Sequence, residues 1–167
     1  VAWESLARSA AFDLWSRAKE HPVARAMLVL HGQGGVRGNP KTAFEVLRRT
    51  GEAGADARCI CQVGSCLYRG LGVAKNVAEA VKWYRRAAAL SNACARHNLA
   101  SLYYKGEGIP RNMGAAIRLW QQAASQGHLG SQFNLGLCYA RGDGVPKDEE
   151  QAKRWFASVR VAGKQGS

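Results

Sequence analysis

A glycine-punctuated string returns in this chain at a fixed interval of 36 residues: Tyr68-Arg-Gly-Leu-Gly-Val73, Tyr104-Lys-Gly-Glu-Gly-Ile109 and Ala140-Arg-Gly-Asp-Gly-Val145. A strict period of this length means that the chain is assembled from copies of one supersecondary unit, none of which buries its apolar face alone. Other features keep the same phase. Asn76, Asn112 and Asp148 recur, as do Ala80, Ala116 and Ala152, followed by the bulky pairs Trp83-Tyr84, Leu119-Trp120 and Trp155-Phe156. A looser fourth copy precedes them, one residue off the period, with Gly35-Val36, Asn39, Ala43 and Val46-Leu47. Ahead of it, Trp3, Leu6, Ala7, Ala10, Leu14 and Trp15 recur at spacings of three and four, the stripe of one buried helix face, and read as an N-terminal cap or half-repeat over residues 1–20.

Within a copy, apolar residues follow a helical period before the Gly-x-Gly, as in Cys94 to Tyr104, and again after the Asn or Asp, as in Asn112 to Gln126. Each copy is therefore expected to be a helical hairpin. Gly at the turn supplies the positive φ that other residues adopt only with strain. Asn39, Asn76, Asn112 and Asp148 are expected to cap the second helix, with Pro40 in its first turn. Ala80, Ala116, Ala152 and Gly136 allow close helix approach, while Trp83, Trp120 and Trp155 fill the space between hairpins. The predicted fold is all-α, a right-handed α-solenoid of helix-turn-helix units. It divides into an array over 21–163 (copies near 21–54, 55–91, 92–127 and 128–163) and a flexible tail at 164–167.

These residues resemble the Sel1-like repeat, a relative of the tetratricopeptide repeat. The fullest copy, Ser131 to Gly163, carries Leu135, Gly136, Tyr139, Gly142, Gly144, Val145, Asp148, Ala152, Trp155 and Gly163 in the family's order. Copy three departs at Ala100 and Leu119, copy two at Cys59, Val63 and Leu67, and copy one has Gln33 at the first turn glycine and Ala26-Met27 in place of Leu-Gly. The resemblance implies a non-enzymatic adaptor or scaffold, a subunit of a larger complex. It also implies that the first helix of each hairpin lines a concave face.

On that face the copies grade outward from amides (Gln62, Asn98, Asn134) through hydroxyls (Ser65, Ser101) and rings (Tyr68, Tyr104) to cations (Arg69, Lys105, Arg141). An amide offers both donor and acceptor, so such a ladder can pair with the backbone of an extended peptide whatever its sequence. The similarity to tetratricopeptide arrays, which hold peptide carboxylates between Asn and Lys or Arg on this face, implies an acidic or C-terminal peptide as ligand. The competing reading of the same residues is an ordinary solvated face, with Tyr104 merely covering the turn. His31 and His97 fall on this surface too and read as solvated or capping side chains.

The chain carries 24 Lys and Arg against 12 Asp and Glu, a net charge of +12. From Val81 to Tyr139 the only acid is Glu107, against seven Lys and Arg. Lys82, Arg85, Arg86 and Arg118 belong to second helices, expected to face outward, and form a candidate phosphate-contacting strip. The alternative function is thus a basic structural subunit of a ribonucleoprotein or organellar assembly that touches RNA phosphates. No apolar run is long enough for membrane insertion. Val1 in place of Met, and the lack of a signal-like order from Val1 to Glu20, suggest a processed or partial chain.

Five cysteines, Cys59, Cys61, Cys66, Cys94 and Cys138, are odd in number and crowded, which speaks for a reducing compartment, cytoplasmic or alternatively the mitochondrial matrix. Cys59 and Cys61 diverge by about 200° on a helix and so make no metal pair. Cys66 and Cys138 share one repeat position and read as packing groups. No nucleophile, acid and base assemble; Asp148, Glu149 and Glu150 complement a helix N-terminus. Gly32-Gln-Gly-Gly35 lacks the strand and the Gly-Lys-Ser/Thr order of a phosphate loop. No enzyme, cofactor or metal is expected.

Overall fold

The computed structural model describes residues 22–31, 38–54 and 56–165, which form eight helices and no strand. The helices are α1 (Pro22–His31), α2 (Pro40–Glu52), α3 (Ala57–Arg69), α4 (Val77–Ala89), α5 (Ala93–Lys105), α6 (Met113–Ser125), α7 (Leu129–Arg141) and α8 (Glu149–Gln165). The N-terminal stripe from Trp3 to Trp15 and the Gly32–Gly35 string lie outside the described residues. Two compact units divide after Asn76. In the first, α1 packs on α2 and α2 on α3; in the second, each helix from α4 to α8 packs chiefly on its neighbour in sequence. Packing between sequence neighbours is the mark of an α-solenoid, and the chain has that fold.

The period is written into the backbone. Gly70, Gly106 and Gly142 end α3, α5 and α7 in the left-handed region, and their N–H groups donate to the carbonyls of Cys66, Leu102 and Cys138. The following N–H in each copy reaches the same carbonyl, so the 5→1 bond of the left-handed cap and the 6→1 bond of a Schellman turn share one acceptor. A third bond, from the N–H of Asn76, Asn112 or Asp148 to the carbonyl of Leu67, Tyr103 or Tyr139, closes each turn. The second glycine is there for contact as much as for conformation. At Gly108, φ is +70°, and a Cβ would sit 2.7 Å from Val77 Cγ1.

Caps fall where the spacing puts them and in further places. The side chains of Asn39, Asn112 and Asp148 accept from the N–H groups of Lys41, Ala115 and Gln151, with Pro40 in the first turn of α2. Asp56, Asn92 and His128 cap the first helices α3, α5 and α7.

The core of the second unit gathers Ala100, Ala116, Ile117, Trp120, Ala124, Leu135 and Cys138. Fully burying a side chain of Leu135's kind contributes about 1.5–3 kcal/mol. The small residues act as the sequence suggests: Ala80 and Ala116 are wholly buried, and a Cβ on Gly136 would come 2.6 Å from Phe156 Cε1. Trp83 and Trp120 are buried, whereas Trp155 is only half-buried. Helix α8 runs on to Gln165, past the expected start of the tail at 164.

Candidate functional site

Helices α5 and α7 are the first helices of successive hairpins, and a glycine-ended turn follows each. Residues 36 apart on them therefore stand at corresponding places, and a cleft of about 220 Å³ opens there. Five of the residues expected on the binding face line it: Ser101, Tyr104 and Lys105 from α5, and Asn134 and Arg141 from α7. Trp120, Leu137 and Cys138 add apolar wall, and Asp143 stands in the turn after α7.

Each group has a defined setting. Ser101 Oγ donates to the His97 carbonyl at 3.0 Å, which leaves its lone pairs available. The Tyr104 ring lies 5.5 Å from that of Trp120, and its hydroxyl donates to Asp143 Oδ2 at 3.3 Å, so Tyr104 is a wall of the cleft as well as a cover for the turn. Lys105 Nζ stands 3.8 Å from Glu107, with both side chains about half exposed, a pairing weak enough to yield to a ligand. Arg141 is exposed at the rim, and Asn134 is half-buried. Trp120 is only 3% exposed, and its buried indole N–H has no hydrogen-bond partner. Polar atoms left this way are uncommon in folded proteins.

Other expected residues are arranged differently. Gln62, Ser65, Tyr68 and Arg69 all lie on α3 of the first unit, grading from half-buried to exposed, and Lys75 Nζ stands 5.4 Å over the Tyr68 ring. Asn98 is half-buried on α5 but is not part of the cleft lining. Of the cationic set, Lys82 pairs with Glu79 at 2.9 Å, Arg85 donates to the Tyr103 hydroxyl, Arg86 stacks over Trp83, and Arg118 is exposed on α6.

His97 requires a correction. Rather than solvated, it is half-buried at the joint between α5 and α7. Its Nδ1 lies 3.0 Å from Ser131 Oγ, and its ring is 4.5 Å from that of His128. Burial, then the neighbouring His128, push the His97 ring down to about 4. His128 is also lowered, by burial. Its Nδ1 accepts from the Ser131 N–H, so in this cap it is the neutral ring with hydrogen on Nε2. The side chain of His31 lies outside the described residues.

Cys59, Cys61, Cys66 and Cys138 are buried, while Cys94 is exposed, and all are free thiols. Burial raises the Cys66 and Cys138 thiols to about 11. Among the described residues, no group of three or more His, Cys, Asp or Glu could hold a metal ion, and no helix is long and apolar enough to cross a membrane.

Residues 23–54, 57–92, 95–128 and 130–158 match the model of the Sel1 repeat. Among solved structures, the chain is similar to a Sel1 repeat protein from Oxalobacter formigenes, at 28% identity and a TM-score of 0.77, over 86% of this chain and 59% of that one. It is also similar to c5321, a protective antigen present in uropathogenic Escherichia coli strains and displaying an SLR fold, at 27% identity and a TM-score of 0.77, over 90% of this chain and 33% of that one. The chain thus spans less than two thirds of either protein. No curated protein matches it.

Proposed function

This chain belongs to the Sel1 repeat family, whose repeats generally mediate protein–protein interactions, and from that premise we propose that it is a non-enzymatic adaptor holding an extended acidic or C-terminal peptide in the α5–α7 cleft. The observation that carries this reading is the convergence of Ser101, Tyr104, Lys105, Asn134 and Arg141 on one cleft. Its volume of about 220 Å³ suits one side chain and a terminal carboxylate rather than a whole small-molecule ligand, for which pockets run to about 300–1,000 Å³. In the proposed complex Lys105 and Arg141 take the carboxylate, the half-buried Asn134 amide pairs with peptide backbone, and Leu137 and Trp120 receive an apolar side chain.

A fluorescein-labelled acidic peptide with an apolar last residue, compared with its C-terminal amide, tests this by anisotropy. The free acid is expected to bind, and amidation, Asn134→Ala or Arg141→Ala each to weaken binding by about tenfold, the size of one charge-assisted hydrogen bond. Binding that survives Asn134→Ala with Arg141→Ala but is abolished by Arg85→Glu with Arg86→Glu, and that falls steeply with log salt, would transfer the function to the outer cations and an RNA-type partner.

A further inference from the structure

The cleft between α5 and α7 holds an acid as well as its two cations. Asp143 lines it, half-buried in the turn after α7. Its side chain accepts from the Tyr104 hydroxyl at 3.3 Å and, among the described residues, sits in no ion pair. The other described acids are placed differently: each holds a Lys or Arg close by or, as Asp148 does, caps a helix. In a chain of net charge +12, an acid without a cation is the exception. The preceding copies have no such group, since position 107 is a Glu held by Lys105 and position 71 is Leu.

Lys105 and Arg141 share the lining with Asp143, yet neither closes on it. The cleft thus keeps opposite charges apart on its walls. The Asp143 charge is felt inside: burial first, and then this carboxylate, raise the neighbouring Cys138 thiol to about 11. A half-buried carboxylate without a counter-ion has lost hydration that one hydroxyl restores only in part. The Tyr104 contact is also longer than the about 2.5–3.0 Å of a strong O–H···O bond, so it leaves the carboxylate with accepting capacity for a second donor.

We propose that, within the peptide-binding reading on which this rests, the ligand is a chain terminus ending in Lys or Arg, its α-carboxylate taken by Lys105 and Arg141 and its side-chain cation by Asp143. The volume of about 220 Å³ sets the cation on the last residue itself, because one side chain and a terminal carboxylate fill it. A Lys or Arg stem is apolar along its length and lies on the Leu137 and Trp120 wall while its head reaches a polar group. Asp143 is then a specificity-determining residue, and the cleft reads a dipolar end rather than negative charge alone.

The probes are fluorescein-labelled peptides of one sequence that end in Lys, Leu or Glu as free acids, with the Lys peptide also as its amide, each titrated into the full chain by anisotropy. The Lys acid is expected to bind about tenfold more tightly than the Leu acid, the size of one charge-assisted hydrogen bond, and the Glu acid more weakly than either. Asp143→Asn keeps an acceptor for the Tyr104 hydroxyl and should bring the Lys-to-Leu ratio to about one. Asp143→Lys should turn the preference toward the Glu peptide. Tyr104→Phe, which removes the hydroxyl and keeps the carboxylate, should retain the preference for Lys, as a merely structural role of the Tyr104–Asp143 bond would not. If the acids bind and amidation weakens binding, but the Lys-to-Leu ratio is near one or is unmoved by Asp143→Asn, this proposal is overturned and the cleft reading stands. If no acid binds, or amidation changes nothing, both fall together.

Discussion

Acidification should weaken the α5–α7 joint through His97, and the size of the effect can be worked out. In the unfolded chain His97 titrates near 6.5; in the folded joint burial, then His128, hold it at about 4. The folded state therefore binds its proton less readily than the unfolded state. Above pH 6.5 both are neutral and the residue leaves stability independent of pH; as pH falls from 6.5 toward 4 the unfolded state gains protons and stability is lost; below about 4 the loss levels off. Moving from 6.5 to about 4 corresponds to about 3 kcal/mol at full weight, since each pH unit is about 1.4 kcal/mol. The ring is only half-buried and solvent screens part of this, so about 1–2 kcal/mol is expected, most of it lost by pH 5. His97→Asn isolates the effect, because an Asn amide places a nitrogen or oxygen near the position of Nδ1, keeps the bond to Ser131 and does not titrate. Urea unfolding followed by tryptophan fluorescence at pH 7.5, 6.5, 5.5 and 5.0 should show wild type losing about 1–2 kcal/mol relative to His97→Asn across that range, with no relative change above pH 7. Parallel curves for the two proteins would refute the reasoning.

Three further outcomes follow from the turns, the packing and the thiols. Gly108→Ala should cost about 2–4 kcal/mol in thermal or urea unfolding, because it adds a Cβ overlap with Val77 to left-handed strain, whereas Gly127→Ala, with φ +82° and open space around it, should cost only about 1 kcal/mol. Gly136→Ala should cost about 1–3 kcal/mol and mostly speed unfolding of α8, since the added methyl displaces the Phe156 ring; the double variant Gly136→Ala with Phe156→Leu should recover part of that loss. At pH 8 a thiol reagent should label Cys94 rapidly, and peptide mass mapping should find Cys66 and Cys138 unlabelled until denaturant is added, because both thiols stay protonated and buried.

What the sequence makes legible is whatever recurs. The glycine turns, the caps Asn39, Asn112 and Asp148 and the wholly buried Ala116 are read from spacing because each copy must solve the same steric problem, so the same residue type returns every 36 positions. The gradient from Asn134 to Arg141 is legible for the same reason, and the cleft gathers five residues of that series. The joint of His97, Ser131 and His128 is invisible to this reading. Its contacts cross from one copy to the next, 34 residues apart for His97 and Ser131, and they involve the places where the copies differ: His97 stands where its neighbours have Cys61 and Phe133, and His128 caps α7 where Asn92 caps α5. A period encodes what the copies share, which is the fold. Departures from it add selectivity to what the recurring ladder binds, because a residue common to all copies cannot by itself distinguish one surface from another. By that logic His97 and Trp120, each unlike its counterparts and each in an unusual state of protonation or hydrogen bonding, are where partner choice in this array is best sought.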